Sequence, residues 1–209
     1  MKPDDAIQTR LAPFGVELEP GQLASVRKFL ELLALWNRRI SLVSPSDMGQ
    51  LIERHVGESL FAVAAVPIRQ GRLADVGTGA GFPGFPLKIA VPSLDLTLIE
   101  SNQRKSAFLS EVVRSLQLSS CLVVCSRYED FVPSARFDFI TCRAVGKYGE
   151  ILNWARTKLS VGGQLVLWLG MDDAAHLAQS SGWKWRERVQ IPNSDRRVLL
   201  VGKPDSFAQ

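Results

Sequence analysis

The stretch RLADVGTGAGFPG, residues 72–84, is the part of the chain that decides the fold class. A short apolar run ends at the acidic residue Asp75, and four glycines follow within the next nine positions: Gly77, Gly79, Gly81 and Gly84. Glycine tolerates positive φ and carries no side chain, so a ligand can lie directly against such a loop. A loop at the carboxyl end of the first strand of a parallel sheet faces the ligand crevice. The stretch therefore predicts a buried strand, a ligand-binding loop and a helix whose first turn suits Pro83.

Three kinds of ligand use glycine-rich loops of this type. A P-loop is excluded, because the residues after the last glycine are Phe-Pro instead of Lys-Ser or Lys-Thr. The dinucleotide pattern G-x-G-x-x-G occurs at Gly79, Gly81 and Gly84, although Gly77 already lies in the turn. The pattern D-x-G-x-G-x-G, by which methyltransferases hold S-adenosylmethionine, is complete and begins at Asp75. That acid would order the turn or hold the ammonium group of the cofactor through charge-assisted hydrogen bonds.

The remainder of the chain predicts the sheet around this loop. Strand-like segments alternate with helix-like segments, and one short helix-like segment is predicted near 128–133. The five predicted strands are RLADVG (72–77), LDLTLIE (94–100), CLVVCSR (121–127), FDFITCRA (137–144) and GQLVLWLG (163–170). Such alternation forms a parallel sheet with helices on both faces. Two last strands, WKWRERVQIP and RRVLLVGKP, are joined by only three residues and must be antiparallel. The predicted architecture is α/β, the Rossmann-like fold of class I methyltransferases, with a seven-stranded, mostly parallel sheet and an antiparallel last strand.

The N-terminal third has helical periodicity. Apolar residues recur at spacings of three and four from Gly21 to about Trp36, and a second helix is predicted from Ser46 or Asp47 to the residue before Pro67. We therefore expect a helical extension over residues 1–66, packed on a core of residues 67–209 as one compact unit.

Composition limits the classes of protein that remain. The chain has 209 residues, 46% hydrophobic and 22% charged, with a net charge of +4, which is compatible with an RNA partner. The N-terminus is acidic and polar, unlike a signal peptide, and no apolar run is long enough to span a bilayer. The three cysteines of the chain are not accompanied by further metal-ligating residues at the spacing of a zinc site. We expect a cytoplasmic protein without a metal.

Two further strand ends carry candidate ligands for a nucleoside. Glu100 ends the second strand, where an acid accepts hydrogen bonds from both ribose hydroxyls of NAD or of S-adenosylmethionine. Tyr128 and Glu129 follow the third strand, at the position where such folds contact adenine. These residues indicate an adenosine site without separating the two cofactors.

The whole chain resembles one family, the glucose-inhibited division protein B family of small-subunit rRNA methyltransferase G enzymes. The resemblance covers about residues 20–202 and is carried by DVGTGAGFPGFPL (75–87), ESNQRKSAFLSEV (100–112), SRYEDF (126–131), CRAVG (142–146), LALWNRRISL and ERHVGESL. It implies methylation of a guanine N7 in the 530 loop of 16S rRNA with S-adenosylmethionine. The expected partner is 16S rRNA, or the small ribosomal subunit or its precursor, and the enzyme is expected to be a monomer.

The resemblance also implies site residues. Cofactor contacts are expected at Gly77, Phe82, Tyr128 with Glu129, and Arg143; together with the residues derived above, the cofactor set is Asp75, Gly77, Gly79, Phe82, Glu100, Tyr128, Glu129 and Arg143. The chain departs from the family at three places. Ser41-Leu42-Val43 replaces N-L-T after the first helix, Glu58 replaces the aspartate of R-H-x-x-D-S, and Leu169 replaces a lysine.

The expected chemistry needs no general base, because guanine N7 already carries an in-plane lone pair. Arg143, which follows the fourth strand, is the residue expected to position the base or the cofactor through its planar donors. A cytosine-C5 methyltransferase with Cys142 as nucleophile is an alternative, since a Thr-Cys pair stands at 141–142. A nicotinamide-dependent oxidoreductase and a non-catalytic ribosome assembly factor also remain open.

Basic residues outside the cofactor motifs are candidates for RNA contacts. They are Arg38, Arg39, Arg54, His55, Lys147 and Arg196.

Overall fold

The computed structural model describes residues 3–143, 146 and 148–205. Its α-helices are α1 Pro3–Leu11, α2 Pro20–Asn37, α3 Glu58–Ala65, α4 Gly84–Ala90, α5 Gln103–Ser115, α6 Tyr148–Lys158 and α7 Met171–Leu177. Its strands are β1 Gly71–Val76, β2 Leu94–Glu100, β3 Cys121–Cys125, β4 Phe137–Arg143, β5 Leu159–Gly170, β6 Trp183–Trp185, β7 Val189–Gln190 and β8 Arg197–Pro204.

All these strands form one sheet. Its order is β3-β2-β1-β4-β5-β8-β6, with β7 also paired to β8. Strands β1 to β5 are mutually parallel, and β8 runs antiparallel to β5, β6 and β7. The predicted α/β fold with a mostly parallel sheet and an antiparallel terminal strand is confirmed. The carboxyl ends of β1, β2 and β4 lie side by side, which brings the loops after them to one edge.

The sheet has eight strands where the sequence predicts seven, because the first arm of the terminal hairpin is divided. Trp185 pairs with Gly202, but Val189 pairs with Leu199. From Trp185 to Val189 this arm advances four residues, while its partner β8 advances only three, from Gly202 to Leu199. The extra residue forms a bulge, which ends β6 and begins β7 in a new register.

The N-terminal region is helical, but its second helix is not one continuous α-helix as predicted. Residues Pro45–Gln50 form a 3₁₀-helix, Leu51–Gly57 a π-helix, and Glu58–Ala65 the α-helix α3. Hydrophobic periodicity reports which face is buried and does not distinguish these three hydrogen-bonding patterns. The segment near 128–133, predicted as helix-like, forms a turn at 128–130 and has no regular structure at 131–133.

One hydrophobic cluster joins the N-terminal helices to the glycine loop. The ring centroid of Phe29 in α2 lies 5.2 Å from that of Phe82, 5.3 Å from that of Phe85 and 6.5 Å from that of Phe108 in α5. The helix α2 is thereby fixed directly against the loop that follows β1. No helix in the part of the chain that the structure describes has the length and apolar character of a membrane span.

Candidate active site

Asp75 lies beneath the glycine loop and orders it. Its side chain is completely buried. It accepts hydrogen bonds from the Thr78 hydroxyl at 2.5 Å, the Gly84 amide at 2.9 Å and the Thr141 hydroxyl at 2.9 Å. Burial raises the pKa of Asp75 to about 6, although these hydrogen bonds and the charge of Arg143 oppose the shift. Of the two roles expected for this acid, the contacts support the ordering of the turn.

The four glycines of the loop divide into two pairs. Gly77 and Gly79 have φ of 64° and 57°, a region that favours glycine, and their backbone is turned towards open space. A Cβ on Gly81 would lie 2.2 Å from the Phe85 ring, and one on Gly84 would lie 2.4 Å from a Leu98 methyl group. The first pair presents backbone to a ligand, and the second pair allows close packing of α4 against β1 and β2.

Glu100 connects the end of β2 to the same loop. Its carboxylate accepts a hydrogen bond from the Gly79 amide at 3.0 Å through Oε2, and one from the Asn102 amide at 2.8 Å through Oε1. The residue is 8% exposed. Since each carboxylate oxygen has two lone pairs, both oxygens can still accept a further donor.

A first cavity of about 240 Å³ opens beside Glu100. Its lining residues are Gly77, Ile99, Glu100, Ser101, Ser126, Arg127, Tyr128 and Glu129. The hydroxyls of Ser126 and Tyr128 are buried and have no hydrogen-bond partner among the described residues. Burial, followed by the charges of Glu129 and Glu150, raises the pKa of Tyr128 to about 12, so its hydroxyl remains a neutral donor. A ligand with hydroxyl and ring-nitrogen groups would satisfy these atoms.

A second cavity of about 250 Å³ lies on the other side of Gly77. Its lining residues are Leu42, Val43, His55, Gly77, Thr78, Gly79, Ala80, Phe82, Lys105 and Arg143. Gly77 lines both cavities, so the two meet at the glycine loop. The structure thus brings together all of the predicted cofactor residues, with Asp75 supporting the loop from below.

Arg143 is held by groups that sequence reasoning missed. Its Nη2 donates to the Arg54 carbonyl at 2.9 Å and lies 3.5 Å from Glu58 Oε2. The other oxygen of Glu58 lies 2.7 Å from Arg197 Nη2, and the backbone carbonyl of Glu58 accepts from Trp168 Nε1 at 2.7 Å. The Glu58 side chain is 3% exposed and the Arg143 side chain 14%. The only signal in the sequence was the position of Glu58 in the motif ERHVGESL.

The π-helix places His55 in the lining of the second cavity and the backbone of Arg54 against Arg143. The His55 ring centroid lies 5.0 Å from that of Phe82, and the Arg54 carbonyl is the acceptor for Arg143. Single-turn π-helical segments are rare and occur frequently at functional sites. Both residues were predicted as RNA contacts; the structure places His55 against Phe82 of the cofactor loop, and the Arg54 backbone against Arg143.

The other predicted residues lie elsewhere. Arg38 and Arg39 are exposed at the end of α2. Arg196 is exposed and lines a separate cavity with Gly170, Met171, Asp172 and Asp173. Lys147 lies outside the described residues. Cys142 is 2% exposed in the hydrophobic cluster behind β4, and Leu169, which replaces the family's lysine, is 3% exposed in the same cluster.

Comparison with known proteins identifies relatives over most of the chain. A sequence profile of the family described as rRNA small subunit methyltransferase G matches residues 22–187. The ribosomal RNA small subunit methyltransferase G of Laribacter hongkongensis is 36% identical over 201 residues, which cover 94% of this chain and 96% of that protein. The protein of the same name from Chloroflexus aggregans is 33% identical over 207 residues, covering 93% and 87%.

A solved structure shares the fold at much lower identity. The glycopeptide N-methyltransferase MtfA, in complex with (S)-adenosyl-L-methionine, superposes with a TM-score of 0.58 at 14% identity, over 73% of this chain and 88% of that one. At this identity the likeness concerns the fold, which is the predicted class I methyltransferase fold. The profile and the two relatives carry the assignment further: the chain belongs to the rRNA small subunit methyltransferase G family.

Proposed function

We propose that this methyltransferase transfers the methyl group of S-adenosylmethionine to N7 of a guanine in the 530 loop of 16S rRNA. The observation that carries the proposal is the pair of cavities that meet at Gly77, one bearing the acid Glu100 and the other lined by His55, Lys105 and Arg143. Small-subunit rRNA as substrate agrees with the names of the family and of its relatives. The guanine, its N7 atom and the 530 loop are the finer part of the proposal.

The residues of the first cavity fit the nucleoside part of the cofactor. Glu100 would accept from the two ribose hydroxyls, and Ser126, Tyr128 and Glu129 would surround the adenine. Gly77 and Gly79 would lie against the methionine part, where a Cβ would occupy the space required and strain the backbone. When bound, this cofactor supplies a methyl group on a positively charged sulfur, which is the electrophile of the reaction.

The second cavity fits an acceptor atom that needs no general base. None of the described residues that line it carries a carboxylate, whereas His55, Lys105 and Arg143 offer donors. Guanine N7 holds a lone pair in the ring plane, and O6 beside it accepts hydrogen bonds from an arginine. The protein's task is then to hold the base in line and to exclude water. Such positioning can supply about 7–11 kcal/mol of the barrier.

The structure does not favour the alternative in which Cys142 attacks a cytosine. A nucleophilic thiol must reach the base, but Cys142 is 2% exposed and packs among apolar residues. Its neighbours Thr141 and Arg143 point to the other face of β4, where Thr141 meets Asp75.

The test is to map methylated nucleotides by mass spectrometry after incubating unmethylated small subunits, or naked 16S rRNA, with the protein and S-adenosylmethionine. We expect one 7-methylguanosine, in the 530 loop. A methyl group on another base, or on a guanine outside that loop, would contradict the proposal. Gly77→Val serves as the control for contaminating activity, since valine is strained at a φ of 64° and its side chain would take up space beside both cavities.

A further inference from the structure

A third cavity lies outside the two cavities of the active site, between the end of α2 and the start of α5. We call it the α2–α5 groove; it has a volume of about 420 Å³ and is lined by Leu35, Trp36, Arg39, Ile40, Arg104, Ala107 and Glu111. Its floor is apolar and its rim carries two arginines. On an RNA methyltransferase, a groove of this composition is complementary to a ligand that combines a flat apolar face with negative charge.

The floor of the groove is rigid and exposed. The Trp36 ring centroid lies 5.8 Å from that of Phe108 in the core of α5, which fixes the indole in place. Leu35 is 55% exposed, unusually open for a large apolar side chain. A fixed aromatic ring beside an open leucine offers a surface on which a base can stack, irrespective of its identity.

The rim of the groove has an uncompensated positive charge. Among the described residues, neither Arg39 nor Arg104 forms an ion pair, and Arg38 adds an exposed positive charge next to Arg39. The acid in the groove, Glu111, is already engaged at 2.7 Å by Arg114 one turn along α5. Free guanidinium groups at the rim are suited to phosphate oxygens.

Two short segments of chain connect the groove to the second cavity. Arg104 in the groove is followed by Lys105, which lines the second cavity with Arg143. On the α2 side, Ile40 in the groove is followed closely by Leu42 and Val43, which also line the second cavity. These shared segments place the groove where the nucleotides that flank a target base in the second cavity can reach it.

We propose that the α2–α5 groove binds an unpaired nucleotide of the substrate RNA that neighbours the target base. The base stacks on Trp36 and Leu35, and the phosphates on either side contact Arg39 and Arg104. This inference rests on the proposed function, in that the substrate is an RNA strand. It differs from the expectation drawn from the sequence, which named Arg39 as one of several basic residues and gave no place for a base.

The experiment compares steady-state methylation by four variants with that by the wild type. Arg39→Ala and Arg104→Ala remove the charges, Leu35→Ser removes the apolar contact, and Arg188→Ala is the matched control. Arg188 is an exposed arginine between β6 and β7, at the opposite edge of the sheet from α5. All four substitutions are at surface positions, and thermal melts verify that each variant is folded.

We expect each groove arginine variant to raise KM for the RNA substrate about tenfold, with kcat and the affinity for S-adenosylhomocysteine unchanged. The slope of log KM against log salt should fall by about 0.7 for each lost phosphate contact. Leu35→Ser should raise KM several-fold without changing the salt slope, and Arg188→Ala should leave every parameter at the wild-type value.

The outcomes separate the groove from the proposed function. Unchanged KM in all three groove variants, with 7-methylguanosine still formed, would overturn the groove alone. A product other than 7-methylguanosine would overturn the proposed function, while raised KM values on that RNA would still support the groove. If the variants raised KM for assembled subunits but not for naked 16S rRNA, the groove would contact a protein of the subunit, and the RNA proposal would be wrong.

Discussion

Replacing Arg143 by alanine should lower both the free energy of unfolding and the methylation rate. The contacts of Arg143 allow the size of each loss to be estimated. In the sequence, Arg143 is only an arginine at the end of a strand, and removing an exposed ion pair costs about 0–1 kcal/mol. In the structure its side chain is mostly covered, with a hydrogen bond to the Arg54 carbonyl at 2.9 Å and an ion pair with Glu58 at 3.5 Å. A hydrogen bond with a charged group contributes about 1.5–3 kcal/mol.

The loss of stability stays below that of an isolated buried charge. Breaking a buried pair costs about 3–5 kcal/mol when the remaining ion has no other partner. Glu58, however, keeps Arg197 at 2.7 Å. We therefore expect Arg143→Ala to lower the free energy of unfolding by about 2 kcal/mol and Tm by about 4–8 °C. The variant remains folded at 25 °C, since domains of this size are stable by about 5–15 kcal/mol.

The methylation rate should fall further than stability alone explains. Loss of a charge-assisted hydrogen bond at the reacting centre corresponds to about a ten- to hundredfold decrease. Arg143→Lys should restore part of the rate, because lysine keeps the charge without the planar fork. The assay is single-turnover methylation of small subunits at 25 °C, with thermal melts on the same preparations.

Arg197→Ala is the matched control. It removes the other partner of Glu58, which lies at the shorter distance, and Arg197 is not among the residues that line the two cavities. It should cost similar stability and leave the rate within about threefold of the wild type. A wild-type rate in Arg143→Ala, or equal rate losses in both variants, would show that Arg143 acts only through the fold.

Three further predictions concern the loop and the strand beside it. Gly77→Val should abolish binding of S-adenosylhomocysteine in calorimetry while the protein stays folded, because valine is strained at a φ of 64° and its side chain would take up space that the cofactor needs; wild-type affinity would contradict this placement. Cys142→Ser should retain methylation activity, and a trapped adduct with fluorocytosine RNA would instead identify the thiol as a nucleophile. Asp75 has a folded pKa of about 6 against an ordinary value of 3.8, so its protonated form stabilises the fold below about pH 4 and this contribution is lost as pH rises through 6. That shift corresponds to about 3 kcal/mol. The free energy of unfolding in urea should therefore decrease from pH 4 to pH 7 in the wild type, and this decrease should be absent in Asp75→Asn. The same decrease in both proteins would assign it to another group.

The sequence by itself determined the strand, the loop and the helix that carry the site. A buried strand ending at Asp75 and glycines at two-residue spacing are local features, because φ is a property of one residue and its neighbours. Glu100 was identified for the same reason, since the end of an apolar run marks the end of a strand. Alternation of strands and helices then implied parallel pairing, which brings the loops to one edge.

Only the tertiary structure decided which partners the buried charges have. The sequence allowed two roles for Asp75. The hydroxyl of Thr141, on a strand far along the chain, is one of the donors that hold the carboxylate beneath the loop. In the sequence, Glu58 is only a departure from a motif. In the structure, Arg143 of β4 and Arg197 of β8 lie against its two carboxylate oxygens. The π-helix before Glu58 was equally hidden, because periodicity reports a buried face and not the hydrogen-bonding pattern beneath it. A buried charge is stabilised by whichever groups surround it in space, and chain order does not reveal those groups.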